Sequence, residues 1–235
     1  MDCVVEHPYR SGRFGSGNEA VPLRPGGLDL TRRAAQCAGF AAGDRVLDLG
    51  CGEGKGTQLL RDLGYRVIGL DVSTSSLATA AAHLPSLALL AASACRLPFA
   101  DATLDGIIAE CSLSLVGCRR DALSECHRVL RPNGRLAITD VFARAAAVDD
   151  SPLPACLAGL STRDEILTEL ALAGFQVNQW EDHTAVLKTF MARLIFESDS
   201  QNGLWNSDDA AIGATLRQCR PGYFLLIADK TRKEL

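Results

Sequence analysis

The sequence predicts an α/β protein built on a doubly wound parallel sheet, and two observations support this prediction. The first is the segment RVLDLGCGEGKG at positions 45–56, an apolar, β-prone run followed by glycines at positions 50, 52 and 54. The second is its continuation, because apolar residues at helical spacing follow in 57–63 and another strand-like run follows in 65–70. A strand, a tight glycine turn, a helix and a second strand are the repeating unit of such sheets.

Length and composition limit the number of domains and the classes of partner. The chain has 235 residues, of which 47% are hydrophobic and 22% charged, enough for one α/β domain over residues 1–235 with a sizeable core. The net charge of −4 and the scattered basic residues argue against a nucleic-acid partner. No apolar run is long enough to span a membrane and the N-terminus lacks an apolar signal core, so we expect no membrane insertion.

The cysteines indicate a reduced protein. The chain contains nine cysteines but no Cys-x-x-Cys pair, which leaves a zinc site or a redox dithiol without support. Cys37 and Cys126 fall on predicted helix faces, where a thiol behaves as a small apolar group. We therefore expect reduced thiols, no bound metal and a cytoplasmic location.

The glycine turn and the acid after the second strand indicate a nucleoside ligand. Glycine lets a ligand approach bare backbone, and the following helix offers unpaired N–H groups to a carboxylate or phosphate. Asp71 ends the second strand, where a carboxylate accepts hydrogen bonds from a ribose diol. The dinucleotide fingerprint does not fit, because Lys55 or Thr57 stands where its third glycine belongs. An NAD-dependent oxidoreductase is therefore disfavoured.

The pattern Asp48-x-Gly50-x-Gly52-x-Gly54 resembles the first motif of class I S-adenosylmethionine (SAM) methyltransferases. The run ECHRVLRPNGRL at 125–136 is similar to the family's Arg-Val-Leu-Lys-Pro-Gly-Gly. The run SACRLPF at 93–99 resembles its Gly-Asp-Ala-x-x-Leu-Pro-Phe, with Ser93 in place of the acid that meets the adenine amino group. The resemblance covers roughly residues 40 to 230 and lies with the small-molecule branch that includes quinone-biosynthesis and arsenite methyltransferases. It implies a Rossmann-like sheet of seven strands with an antiparallel last strand.

The remaining elements follow in order along the chain. Further strands are predicted at 87–91, 101–109, 136–140, 175–180 and 223–229, and helices at 28–38, 73–83, 120–130, 162–173, 184–196 and 209–219. Residues 1–40 would form an N-terminal lid and helix, and residues 41–182 and 221–235 the core. Residues 183–220 would form a helical insertion between the last two strands. The tail before residue 28 is either frayed or a lid, and the insertion is either a cap on the acceptor pocket or a packing or dimer surface.

The resemblance and the carboxyl ends of the strands together define the expected site. SAM, with S-adenosylhomocysteine (SAH) as its product, is the expected cofactor. The expected cofactor-binding residues are Asp48, Gly50, Cys51, Gly52, Gly54, Asp71, Val72, Ser93, Ala94, Cys95, Glu110 and Cys111. The expected substrate residues are Arg24, Ser112, Cys156 and His183, and the candidate bases are Tyr9, Glu110, Asp140 and His183.

The expected function is methyl transfer to a small-molecule acceptor by in-line displacement. Two alternatives stay open. One is arsenite methylation, for which Cys111, Cys156 and Cys219 would have to meet at the mouth of the site. The other is a SAM-binding module without transfer activity. A small-molecule acceptor is the expected partner, and a homodimer is considered.

Overall fold

The computed structural model describes residues 24–145, 159–197 and 217–231. The strands are β1 (Arg45–Leu49), β2 (Arg66–Asp71), β3 (Ala88–Ala91), β4 (Leu104–Glu110), β5 (Leu130–Ala143), β6 (Phe175–Asp182) and β7 (Pro221–Lys230). They form one seven-stranded sheet in the order β3-β2-β1-β4-β5-β7-β6. β7 runs antiparallel to its neighbours β5 and β6, while the other neighbouring pairs are parallel. The predicted seven-stranded doubly wound sheet with an antiparallel last strand is confirmed.

Local sequence signals place the helices. They are α1 (Gly27–Ala38), α2 (Lys55–Asp62), α3 (Thr74–His83), α4 (Arg119–Val129), α5 (Arg163–Leu172) and α6 (Thr184–Glu197). The Ser73 hydroxyl caps α3 by accepting from the Ser76 N–H, and Thr162 and Glu165 form a complete capping box at α5, as predicted. Within the described ranges, no helix is both long and apolar enough to cross a membrane.

Two apolar clusters cover the two faces of the sheet. The first joins α4 and α5 to one face through residues that include Leu123, Cys126, Ile166 and Phe224. The second joins α1 and α2 to the other face through residues that include Ala34, Leu60, Ile108 and Tyr223. Since alternate residues of a strand point to opposite faces, neighbours such as Ile107 and Ile108 enter different clusters. This layering leaves the carboxyl ends of β1, β2 and β4 as the place for a ligand.

Three strands, β5, β6 and β7, are longer than predicted. β5 begins at Leu130 rather than near residue 136, because Leu130 pairs with Leu104 before the register shifts. The expected turn at 131–135 is therefore an irregular part of the strand, with Asn133 at φ 66°. β6 continues to Asp182 because its pairing with β7 extends as far as Phe224.

The insertion begins with a helix, as predicted. α6 follows β6 directly, and Leu187 packs against the apolar cluster that contains α1 and β7. Most of the expected lid, including Tyr9, lies outside the described residues, as do the loop with Cys156 and most of the predicted helix at 209–219. A roof formed by the lid and the insertion stays a prediction.

Candidate active site

The three glycines after β1 form the centre of the site. Gly50, Gly52 and Gly54 have φ values of 81°, 53° and 79°, in the left-handed region that favours glycine. A Cβ on Gly50 would lie 2.5 Å from the Cβ of Ser112, whereas a Cβ on Gly52 would meet nothing within 4 Å. The turn therefore packs against the segment after β4 and leaves bare backbone facing open space at Gly52.

Asp71 at the end of β2 is fixed by this turn. Its Oδ2 accepts from the Gly52 N–H at 2.8 Å, and its Oδ1 accepts from the Ser73 N–H at 2.8 Å. A carboxylate has about four acceptor sites, so further sites remain for a ligand hydroxyl on both oxygens. The next residue, Val72, has an apolar side chain that is 52% exposed.

Three charged side chains converge at the first turn of α2. A Cβ on Gly56 would lie 3.2 Å from Asp48 Oδ2, 3.3 Å from Arg24 Nη2 and 3.6 Å from Glu110 Oε2. Asp48 also accepts a 2.6 Å hydrogen bond from the Thr57 hydroxyl, while its burial raises the pKa of its carboxyl. The arrangement brings two acids and one cation to a helix N-terminus.

Arg24 and Glu110 form the ion pair of this group. Arg24 Nη2 lies 2.9 Å from Glu110 Oε2, and the Thr31 hydroxyl donates to the same oxygen at 2.9 Å. Burial raises the pKa of Glu110 to about 7, against the opposing effect of Arg24. Arg24 Nε is buried, with no hydrogen-bond partner among the described residues. This donor therefore leaves a hydrogen bond available to a ligand.

A second series of polar contacts begins at the tip of β4. Cys111 adopts φ 48°, and its thiol lies 2.8 Å from the hydroxyl of Tyr223, which donates to Thr139 at 3.3 Å. Burial raises the pKa of both Cys111 and Tyr223, so both stay protonated. Ser112 follows, and its buried hydroxyl has no hydrogen-bond partner in the described part of the chain. Ser112 thus offers an unused hydrogen-bonding group beside Gly50.

Two loops flank the glycine turn, and a disulfide joins them. We call residues 92–97 the β3 loop and residues 111–118 the β4 loop. Ser93 in the β3 loop is exposed, and its hydroxyl accepts from the Cys95 N–H at 3.2 Å. Cys95 is bonded to Cys118, 23 residues away. The expectation of reduced thiols is therefore wrong for this pair. The two cysteines are distant in sequence, and the fold brings their loops into contact.

Asp140, a candidate base, is buried and accepts three hydrogen bonds from the protein. Its Oδ1 accepts from the Ser114 hydroxyl at 2.6 Å and from the Val141 N–H at 2.8 Å, and its Oδ2 accepts from the Ser114 N–H at 2.9 Å. Burial raises the pKa of its carboxyl. These contacts indicate that Asp140 holds the β4 loop against β5.

His183 makes its described contacts away from the Arg24–Glu110 pair. Its Nε2 lies 2.8 Å from Glu181 Oε2, and its N–H donates to the Tyr223 carbonyl at 2.7 Å. Glu181 in turn binds Arg33 of α1 through two hydrogen bonds. Its roles as a base and as a substrate residue stay predictions.

The structure brings most of the expected cofactor residues together and adds some that the sequence did not indicate. Arg24, which was assigned to the substrate, lies close to Asp48 and Glu110, two of the expected cofactor residues. The additional residues are Thr31, Thr57, Thr139 and Tyr223. Of these, only Thr57 could have been predicted from the sequence, because it directly follows the glycine motif. Cys111 and Cys219 belong to no described group of three metal-ligating side chains. The cytoplasmic location, the homodimer and the absence of a nucleic-acid partner stay predictions.

Comparison with known proteins identifies methyltransferases as relatives of this chain. A family model described as a methyltransferase domain matches residues 47–138. The O-methyltransferase resE of Aspergillus sclerotiorum is 31% identical over 220 residues, which cover 86% of this chain and 81% of that protein. A demethylmenaquinone methyltransferase of Beutenbergia cavernae is 39% identical over 130 residues, 54% of this chain and 53% of that protein. Among solved structures, the cyclase SpnF matches with a TM-score of 0.71 at 26% identity, over 86% of this chain and 81% of its own.

Proposed function

The chain belongs to the class I SAM-dependent methyltransferase family, and on that premise we propose that it transfers a methyl group from SAM to a small organic acceptor. The observation that carries the proposal is the convergence of Arg24, Asp48 and Glu110 at the N-terminus of α2, beside a glycine turn locked to Asp71. One end of this arrangement carries both positive and negative side chains, which suit a zwitterionic group. The other end carries the Asp71 carboxylate, which can accept hydrogen bonds from a diol.

The adenosine half fits the side of the site that contains β2 and β3. Asp71 would accept from the ribose hydroxyls with the acceptor sites that the Gly52 and Ser73 N–H groups leave free. The exposed Val72 side chain would cover one face of the adenine ring. Ser93 and the backbone of the β3 loop would meet the adenine edge, since no acid stands at position 93.

The amino-acid half fits the Arg24–Glu110 group. The unpartnered Nε of Arg24 and the N-terminus of α2 would bind a carboxylate. Asp48 and Glu110 would lie on the side of an ammonium group. The partly uncompensated acids at this point support a ligand that brings its own positive charge.

When bound, SAM supplies a methyl group already activated by its sulfonium. The protein then contributes position and exclusion of water, and effective molarities of well-oriented groups reach about 10⁵–10⁸ M. A base is needed only for an acceptor that carries a proton at its resting pKa. Of the described candidates, Glu110 suits that role best, because its pKa of about 7 lets it hold a proton near neutral pH. Both Glu110 and Asp140 accept hydrogen bonds from the protein on each carboxylate oxygen, so the pKa of Glu110 near neutrality is what favours it over Asp140.

The relatives support a small organic acceptor. One relative is named an O-methyltransferase and another a demethylmenaquinone methyltransferase. We therefore propose an acceptor with a hydroxyl or an activated ring carbon. The cyclase SpnF has the same fold, which supports testing for binding without transfer as the second candidate.

Incubation with isotopically labelled SAM and a small-molecule extract of the source organism tests the proposal. We expect SAH together with one labelled small molecule, and a strongly reduced yield with Asp71→Ala. SAH binding without a labelled product would favour the module without transfer activity. Failure to bind either SAM or SAH would overturn the proposal.

A further inference from the structure

The disulfide between Cys95 and Cys118 joins the two loops that flank the proposed adenosine site. The β3 loop leaves the sheet beside Asp71, whose carbonyl accepts from the Ala92 N–H at 3.1 Å. The β4 loop passes the glycine turn, where Ser112 lies against Gly50. The bond therefore connects one wall of the site to the other, with Cα atoms 6.7 Å apart.

Other contacts hold the end of the β3 loop and the middle of the β4 loop. Leu97, at the end of the β3 loop, donates its N–H to Glu125 of α4 at 2.7 Å. Ser114 of the β4 loop is bound to Asp140. Apart from the contact of Cys95 Sγ with the Cys118 carbonyl at 3.5 Å, the hydrogen bonds described for residues 93–96 remain inside that segment. Ala94 and Cys95 also pack against the apolar cluster of α4 and α5. Loss of the disulfide would thus leave the middle of the β3 loop held only by apolar packing, while the surrounding fold stays anchored.

The surroundings of the pair suit thiol–disulfide exchange. Both cysteines are half-buried, with exposed arginines next to them, Arg96 beside Cys95 and Arg120 two residues after Cys118. Cys118 also stands at the N-cap of α4, without a side-chain capping bond. A helix N-terminus and nearby cations stabilise a thiolate, and partial exposure admits a reductant.

We propose that Cys95 and Cys118 form a reversible dithiol–disulfide site whose redox state sets the affinity for the cofactor. The inference rests on the proposed function. In the reducing step, a thiolate of a dithiol reductant attacks one sulfur, and the Cys95–Cys118 bond breaks to a mixed disulfide. The second thiol of the reductant then displaces the remaining cysteine. Two electrons and two protons pass to the cysteines, and the reductant becomes a disulfide.

The oxidised form is the form that binds more tightly. The disulfide holds residues 93–96 in place before the ligand arrives, so binding does not have to order them. This matters more in this chain because Ser93 replaces an acid that would bind the adenine amino group directly. Ordering a few side chains and a short loop on binding corresponds to an affinity loss of about threefold to tenfold after reduction.

The test compares SAH binding by the full chain after oxidation and after treatment with dithiothreitol. Non-reducing peptide mapping must first place the bond, with fragmentation, because Cys111 and Cys118 share a tryptic peptide. The variants are Cys95→Ser and Cys118→Ser. Cys37→Ser is the matched control, since Cys37 is a half-buried cysteine of α1 outside both loops.

The expected result is a dissociation constant about threefold to tenfold higher after reduction of the wild type and of Cys37→Ser. Both loop variants should show the weaker value in either redox state. Hydrogen exchange in residues 93–96 should accelerate on reduction. An equal or tighter affinity of the reduced wild type, or the absence of a Cys95–Cys118 bond in the oxidised protein, overturns the inference. Failure of SAH to bind in both states would instead overturn the proposed function.

Discussion

The guanidinium of Arg24 lies 2.9 Å from the carboxylate of Glu110, and the side chains of the two residues are only 17% and 4% exposed. The pair links the segment before α1 to the tip of β4. Removing one partner of a buried ion pair typically costs 3–5 kcal/mol, because the other charge stays buried without compensation. A change at either residue should therefore affect both the stability of the fold and the geometry of the candidate site.

Glu110 should make stability fall as the pH rises towards neutrality. Burial raises its pKa from 4.5 to about 7, so between these values the folded protein holds a proton that the unfolded chain has released. The free energy of unfolding then decreases with rising pH, by up to about 3 kcal/mol. We expect Glu110→Gln to remove this decrease. The measurement is urea unfolding from pH 4.5 to 8, expressed as the difference between wild type and variant.

Glu181→Gln is the matched control, because Glu181 also pairs with an arginine, in this case Arg33 of α1. The Arg33 hydrogen bonds lower the pKa of Glu181 to about 2. Its contribution to stability is therefore complete above pH 4.5 and is lost as the pH falls towards 2. A difference curve for Glu110→Gln that is flat between pH 4.5 and 7 contradicts the assignment of Glu110.

Asp71→Ala should weaken binding of SAH, and neither the variant nor the wild type should bind NAD. The variant removes a charged acceptor of the ribose hydroxyls, and hydrogen bonds to charged groups contribute about 1.5–3 kcal/mol. It also removes the bonds to the Gly52 and Ser73 N–H groups, so folding must be checked by circular dichroism. Calorimetry with SAH, SAM and NAD gives the answer. Asp62→Ala, an exposed acid on α2, is the control for net charge. Unchanged SAH affinity, or NAD binding by the wild type, would sink the assignment.

Local signals predicted much of this fold, whereas contacts between distant segments were not predictable. The glycine turn and the Ser73 cap depend on residues within a few positions of one another, so sequence spacing shows them. The disulfide between Cys95 and Cys118 depends on how two loops meet at the sheet edge, and no spacing rule gives that pairing. The contact between Cys111 and Tyr223 arises because β7 inserts beside β5, a consequence of the antiparallel topology.

Gly52→Ala should abolish cofactor binding at a modest cost in stability. Gly52 has φ 53° and Gly43 has φ 86°, and a Cβ on either would meet nothing within 4 Å. Both alanine variants should therefore lose about 1–3 kcal/mol of stability from backbone strain alone. We expect Gly43→Ala to retain SAH binding and Gly52→Ala to lose it, because only Gly52 presents its bare backbone to the ligand. Equal SAH affinities of the two variants in calorimetry would show that the ligand lies elsewhere.

The insertion and the N-terminal segment should close over the acceptor site when the cofactor binds. β6 is parallel to β5, so α6 leaves the sheet at the end where the ligand is proposed to bind. Leu187 already packs with the cluster of α1, and Arg24, just before α1, reaches Glu110. A ligand that contacts Arg24 thus contacts the chain directly after residues 1–23.

Hydrogen exchange with and without SAH tests this closure. We expect slower exchange in residues 1–27 and 183–205 when SAH is bound, because ligand contacts at Arg24 would restrain the segment that precedes it. Residues 163–172 of α5 are the internal control, since α5 packs on the other face of the sheet. Bound SAH that leaves residues 1–27 and 183–205 as exposed as before would show that no roof forms. The insertion would then be read as an interaction surface, and sedimentation would show whether a second copy of the chain covers it.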